Sequence, residues 1–285
     1  MSSTATVAHQ GHEQGGQPKE AVRRILEQAK KDGRDALTAP EGKALCDAYG
    51  IAVPGEALAK SADEAAREAG KMGFPVVLKI VSRDILHKTE AGGVLVGLKS
   101  EDEVRRGYDT IIANAKKYKA DAAIDGIQVQ QMLTGGQEVI IGSVTDDSFG
   151  KLVAFGMGGV LVEVLKDITF RLAPVEKQEA MSMINGIQAA EMLHGVRGSE
   201  PANVDALADM IVRVSRLVSD FPEISELDLN PVFASAKGAI AADVRIVLDF
   251  AQKPPRQQFS QEQILTAMNR IMRPKSVAVI GASAE

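Results

Sequence analysis

Apolar residues recur along this chain with two different periods, and the switches between them mark out its elements. In "PKEAVRRILEQAKKDG", Val22, Ile25 and Leu26 fall on one helical face and Gly33 supplies a stop. "LTAPEGKALCDAYGI" predicts a second helix, with Thr38 at the N-cap, Pro40 in the first turn and Gly50 at the exit. Between about residue 55 and residue 133 the order predicted is helix, strand, strand, helix, strand, because Ser61 with Glu64 and Ser100 with Glu103 form two capping boxes. The strands are "PVVLKIV", "GGVLVGL" and "IQVQQML", and the second helix carries Val104, Tyr108, Ile111 and Ala115 at helical spacing. A strand-rich block follows in "EVIIGSVTD", "KLVAFGMGGV" and "DITFRLAPV". After it comes a helix whose core stripe is Val204, Leu207, Ile211, Val214 and Leu217. Two strands, "ISELDLNPVF" and "AIAADVRIV", precede the polar stretch "AQKPPRQQFSQEQ".

The pattern divides the chain into a disordered tail (1–18), N-terminal helices (19–54), an α+β unit (55–130), a second, strand-rich unit (131–250), a linker (251–265) and the start of another domain (266–285). The tail is too polar to offset its own ordering, and His9 and His12 within it read as solvated. The last segment, "ILTAMNRIMRPKSVAVIGASAE", reads as a helix leading into an apolar strand that has no partner of its own. It is expected to be the opening of a truncated Rossmann-like domain.

Composition narrows the partners. Among 285 residues, 45% are hydrophobic and 25% charged, with a net charge of -5, which is globular and lacks the basic footprint of a nucleic-acid binder. Cys46 is the only cysteine, so no intrachain disulfide and no cysteine zinc site can form, and a reducing, cytoplasmic setting is expected. No stretch has the roughly 18 consecutive apolar residues of a spanning helix.

Four places carry candidate chemistry. Lys79 sits inside "VVLKIV" on the face of Val77 and Val81, either as a lysine snorkelling from an edge strand or as a phosphate contact. "QQMLTGGQEVIIG" reads either as a solvated hairpin or as a hinge that offers backbone groups to an adenine edge, with Glu138 reaching ribose hydroxyls. In "ELDLNPV", Glu226, Asp228 and Asn230 share a strand face, and in "IAADVRI" so do Asp243 and Arg245. Paired as a hairpin, the two would converge Asp228, Asn230 and Asp243 as hard oxygen donors for magnesium; otherwise they form one wet face, with Glu226 a solvated neighbour. "DILHKTEAGGV" puts His87 and Lys88 beside two glycines in a loop richer in chemistry than a turn requires. "GVLVGLKS" and "GMGGVLVE" lack the spacings of a Walker loop and a dinucleotide fingerprint.

Together, "FPVVLKIVSRDILHKTEAGGV", "VQQMLTGGQEVIIG", "FGKLVAFGMGGVLVEVLKDITFRLAP" and "ELDLNPV" resemble the ATP-grasp (beta) part of ADP-forming acyl-CoA synthetases over about residues 37 to 250, with succinyl-CoA synthetase beta subunits more distant. "RPKSVAVIGAS" is similar to the start of the CoA-binding domain of that family. The resemblance implies an ATP-grasp fold of two α+β subdomains, a lid and a nucleotide and metal subdomain, and an acid–thiol ligase that uses ATP or ADP, Mg2+ and CoA. It implies that Lys79 and Arg171 meet phosphates, Gln131 and Met132 line adenine, Glu138 meets ribose, and Asp228, Asn230 and Asp243 hold magnesium. It also implies that His87, on a mobile loop with Lys88 beside it, relays a phosphoryl group. CoA and a small carboxylate would be bound by the rest of the polypeptide, the whole protein forming a homo-oligomer, and the present chain would bind nucleotide without turning over. Two other readings stay open: an ATP-grasp carboxylate ligase with an amine or thiol acceptor, and a regulatory nucleotide or acyl-CoA sensor fused to an acyltransferase.

Overall fold

The computed structural model describes residues 16–85, 87–159, 167–196, 200–251 and 259–276. Two compact units divide at residue 250. The first opens with helices α1 (Gly16–Lys31) and α2 (Ala39–Ala48). Helix α1 thus begins three residues before the expected boundary. At α2 the cap runs in an unexpected direction: the Thr38 backbone N–H and hydroxyl both donate to the Glu41 carboxylate, at 2.8 and 2.9 Å, and Arg34 clasps the same carboxylate with two N–H groups at 2.8 Å. Burial by itself would raise the Glu41 pKa, but the hydrogen bonds from Arg34 and Thr38 outweigh it, and the group lies below its ordinary value. Cys46 is fully buried in the same helix, and burial pushes its thiol up to about 12.

A four-stranded antiparallel sheet follows, built from β1 (Glu56–Ala59), β2 (Val76–Ser82), β3 (Val94–Leu98) and β4 (Ile124–Gln131) in the order β1-β4-β2-β3. Helices α3 (Ala62–Met72) and α4 (Glu101–Tyr118) cover one face, capped by Ser61 and Ser100 as the sequence predicts. Strand alternation sends Val76, Leu78, Ile80, Ile127 and Val129 into that core, against Ala65, Ala69, Val104 and Ile111. Strand β1 was not among the expected elements. Its "EALA" has no β-branched residue, and only pairing with β4 makes it a strand.

The second sheet comprises β5 (Gln137–Asp146), β6 (Gly150–Met157), β7 (Ile168–Leu172), β8 (Ile224–Ser235), β9 (Gly238–Ala241) and β10 (Val244–Leu248), in the antiparallel order β10-β8-β5-β6-β7 with β9 also on β8. Helices α5 (Lys177–Asn185) and α6 (Val204–Asp220) pack on one face, and Leu207, Ile211, Val214 and Leu217 of the expected stripe are fully buried. The expected single strand "AIAADVRIV" is broken into β9 and β10 at Ala242–Asp243. The break lies opposite Asn230–Pro231, where β8 carries one extra residue and Pro231 has no N–H to give the ladder; the Ala242 N–H instead donates to the Pro231 carbonyl at 2.9 Å.

The second unit contains α7 (Gln261–Met272), capped by Ser260, with Ile264, Leu265, Met268 and Ile271 exposed. The apolar strand expected at "SVAVIG" lies outside the described residues except for Ser276. Among the described residues, no helix is long and apolar enough to cross a membrane.

The Glu41 clasp sets a pH-dependent contribution. A carboxylate whose folded pKa is lowered stabilises fully above its unfolded value and loses that contribution as pH falls through the folded one. Glu41→Gln is therefore expected to cost about 1 kcal/mol near neutrality, the size of a charge-assisted pair partly screened by water. Urea unfolding at about pH 7 and again at about pH 3 should show the gap from wild type closing on acidification; a gap that persists in acid would contradict the assignment.

Candidate functional site

The face of the small sheet that α3 and α4 leave uncovered is polar in an ordered way. Cross-strand registers put Glu56, Gln130 and Val77 in one row and Leu58, Gln128 and Lys79 in the next. Gln128 and Gln130 are each only 5% exposed, and the Gln128 amide donates to the Glu56 carboxylate. Burial raises the Glu56 pKa, opposed by Lys43, Gln128 and Lys79. Lys79 lies on a strand flanked by β3 and β4, and its side chain is 11% exposed, so the edge-strand snorkel is excluded. Burial lowers its pKa, Asp243 and Glu56 pull it back up, and Lys88 pushes it down, which puts the second lysine within electrostatic reach.

The open face of the large sheet meets this row. Register places Arg245, Asp228, Gly142, Ala154 and Phe170 level across five strands, with side chains on the side that α5 and α6 do not cover. Asp228 is half-buried; burial raises its pKa, and Asp243 and Glu226 add to the rise while Arg245 opposes it. Glu226 is exposed and pairs with Arg245 at 3.7 Å, in keeping with a solvated neighbour. Asn230 is exposed at the irregularity of β8. Across the crevice the Lys79 ammonium stands 3.8 Å from Asp243 Oδ1 and donates to the Ala242 carbonyl at 2.9 Å. Gln130 donates to the same carbonyl at 3.0 Å.

Two neighbouring carboxylates and an amide are the donor chemistry of a site that shares a hard divalent cation with phosphate oxygens and water. Among the described residues no cluster of three or more His, Cys, Asp or Glu side chains is arranged to hold a metal unaided. Asp228 and Asp243, the second close enough for its charge to raise the first, fit the two-carboxylate pattern.

Glu138 lies on the same open face as Gly142, at the start of β5. It leans on a glycine turn: the Gly158 N–H donates to its carbonyl at 2.7 Å, and a Cβ on Gly158 would come within 2.9 Å of its backbone. The Gln131 and Met132 backbone N–H groups are already used, donating to the carbonyls of Gly55 at 3.0 Å and Pro75 at 3.2 Å, so neither offers a backbone N–H to an adenine edge. Arg171 is not brought to the site. It shares its row with Val153, Ser143 and Leu227 on the helix-covered face, and its guanidinium donates to Phe170 O and to Ser182 Oγ of α5. Strand alternation puts the sheet between Arg171 and Asp228, which removes it as a phosphate contact beside Asp228.

The His87 loop is tied at its glycine end by hydrogen bonds. Three backbone bonds knit it, from Ala91 to His87 O, Gly92 to Thr89 O and Gly93 to Lys88 O, and Asn114 of α4 donates to Gly92 O at 3.1 Å. His87 leads this turn with its imidazole 72% exposed, 3.9 Å from Glu90. Asp84 serves the scaffold, accepting from the Ala123 N–H at 2.7 Å and from Lys119 at 3.3 Å. Glu56 and Gln128 went unrecognised in the sequence, and Gln130, which reads there as a solvated hairpin flank, is buried, although "IQVQ" puts Gln128 and Gln130 on the face opposite Ile127 and Val129.

An ATP-grasp domain description matches residues 28–248. The chain belongs to the ATP-grasp family. Its ATP-grasp part is 46% identical over 227 residues to the beta subunit of acetate–CoA ligase (ADP-forming) I of Pyrococcus furiosus, a match that spans 80% of this chain and 97% of that protein. To 4-hydroxybutyrate–CoA ligase (ADP-forming) of Nitrosopumilus maritimus it is 47% identical over 232 residues, 81% of this chain but only 33% of the longer relative. Acetyl-coenzyme A synthetase 1 of Ca. Korarchaeum cryptofilum, solved with coenzyme A and Ca-AMPCP, superposes with a TM-score of 0.78 at 46% identity over 80% of this chain and 99% of its own. A second structure of that protein, with coenzyme A and Mg-AMPPCP and its phosphohistidine segment pointing towards the nucleotide-binding site, gives 0.71 at 42% identity, again over 80% of this chain and all of the other. The α+β fold class and the ATP-grasp assignment, in the branch of the ADP-forming acyl-CoA ligases, therefore stand.

Within this ATP-grasp fold the two glycines near His87 make separable demands. A Cβ on Gly93 would lie 2.5 Å from Ile80 Cγ2 and 3.0 Å from the Lys88 carbonyl, whereas Gly97, at φ +77°, has open space around it. Gly93→Ala is expected to cost about 1–3 kcal/mol by overpacking, and Gly97→Ala about 1 kcal/mol from its backbone angle alone. Denaturant midpoints check this; the order reversed would mean the turn can shift off β2 freely.

Proposed function

We propose that this chain is the nucleotide-binding part of an ADP-forming acyl-CoA ligase, which interconverts a carboxylate, CoA and ATP with acyl-CoA, ADP and phosphate through an acyl phosphate and a phosphohistidine. The observation that carries the reading is a lysine on one sheet facing the carboxylate of Asp243 on the other across 3.8 Å. A cleft built this way offers a cation for phosphate oxygens on one wall and carboxylates for their counter-ion on the other.

In this reading Lys79 contacts the nucleotide phosphates and Glu138 the ribose hydroxyls. Four steps along β5 lead from Glu138 to Gly142, the residue level with Asp228, about 13 Å at about 3.3 Å per residue, a span that suits a nucleotide laid along the strand. Gln131 and Met132 border the adenine through side chain and carbonyl, since their backbone N–H groups are taken. Asp228, Asn230 and Asp243 hold magnesium, which when bound offsets the charge of the phosphates. Lys88, close enough to perturb Lys79, adds positive charge on the His87 side.

His87 is the relay. Its exposed imidazole heads a turn anchored on α4, so a phosphoryl group can be presented to it and passed on without the loop reordering. In the ATP-forming direction the terminal oxygen of ADP attacks the phosphorus, the new P–O bond forms, and the N–P bond breaks with its electron pair returning to the imidazole. CoA, the carboxylate and the acyl phosphate are handled by the remainder of the enzyme, which corresponds to the other two-thirds of the fused relative.

The test is phosphoryl trapping on the complete enzyme with labelled ATP and magnesium, seeking acid-labile, base-stable phosphate in wild type and in His87→Ala. Phosphohistidine is expected in wild type, with its formation or its discharge by ADP altered in the variant. Nucleotide binding with no phosphohistidine in either protein would overturn the synthetase reading.

A further inference from the structure

The carbonyl of Ala242 has two lone pairs, and the small sheet fills both: Lys79 donates at 2.9 Å and Gln130 at 3.0 Å. Ala242 stands at the break between β9 and β10: its N–H is held by the Pro231 carbonyl at 2.9 Å and Asp243 Oδ1 accepts from the Val244 N–H at 3.1 Å, but the Ala242 carbonyl itself faces Pro231, which has no N–H to give it. The two donors are chemically unequal. Lys79 is a charged group on a flexible stem, drawn to any phosphate that enters the crevice. Gln130 is neutral, 5% exposed and held in the middle of the sheet between Glu56 and Val77.

From this inequality we infer that Gln130 is a positioning residue: its amide keeps the Ala242 carbonyl in place when Lys79 leaves it for a phosphate, and so holds Asp243 aimed at the divalent cation. The inference rests on the nucleotide and metal reading above, and extends it to a residue that touches neither ligand. Without Gln130 the departure of Lys79 would leave this half-buried carbonyl with no donor from the small sheet, and the Ala242–Asp243 peptide would turn to find another. In the absence of nucleotide Lys79 and Gln130 act together, the ammonium also serving as counter-ion to Asp243. The lysine changes partner during binding while the glutamine does not.

The test uses the whole chain with Gln130→Met, which keeps length and removes the donors, and Gln130→Glu, which keeps shape and replaces the donor by an acceptor. ADP binding is measured by calorimetry over a magnesium series and in EDTA. The magnesium concentration giving half the gain in ADP affinity should rise about tenfold or more, as for other residues that orient a metal ligand. Metal-free ADP should bind within about twofold of wild type, the result a merely structural role would not give. Hydrogen exchange over residues 239–246 of the metal-free chain should be faster in Gln130→Met. Folded variants with the magnesium dependence of wild type, or with equal losses with and without magnesium, would overturn the inference alone. Wild-type ADP binding indifferent to magnesium would instead overturn the metal reading and the inference with it. If Gln130→Met does not fold, Gln130→Glu supplies the same comparison.

Discussion

The site depends on a constraint of strand geometry: when helices bury one face of a sheet, every second residue of every strand is driven to the other. Both sheets of this chain have one covered face. On the small sheet Val76, Leu78, Ile80, Ile127 and Val129 go under α3 and α4, which leaves Lys79, Gln128 and Gln130 on the opposite side. On the large sheet Leu227 and Leu229 go under α6, which leaves Asp228 facing out. The polar faces then meet at Ala242, and the cationic wall is brought against the carboxylates by the same burial that makes the two cores.

Much of that was legible in the sequence because it is local. The N-caps Ser61 and Ser100, whose Glu64 and Glu103 reach back one residue further to the Lys60 and Lys99 N–H groups than a capping box requires, the stripe of the helix beginning at Val204, and the face of Lys79 all follow from residues a few positions apart. What could not be read depends on register between distant strands. Arg171 and Asp228 each alternate correctly within their own strand, but only the pairing of β6 with β7 and of β5 with β8 reveals that they occupy opposite faces. The same holds for β1, a strand by virtue of its partner, and for Glu56, which becomes part of the polar row through Gln128.

Pro231 shows how an irregularity can be more informative than the pattern it interrupts. A continuous hairpin would have turned Asp243 by alternation alone. The missing N–H breaks the ladder, frees the Ala242 carbonyl from sheet pairing and offers it to another layer. The joint between the two sheets is thus made from hydrogen-bonding capacity that regular pairing would have used up.

Cys46 adds a practical consequence. The only thiol in the chain lies sealed inside α2, with its pKa raised to about 12, so it carries almost no thiolate at neutral pH. A cysteine placed at one exposed position on each sheet would accept a fluorophore or spin label while the native thiol stays silent. Whether the crevice changes width when nucleotide binds can therefore be followed as a distance in solution, in an otherwise unaltered chain.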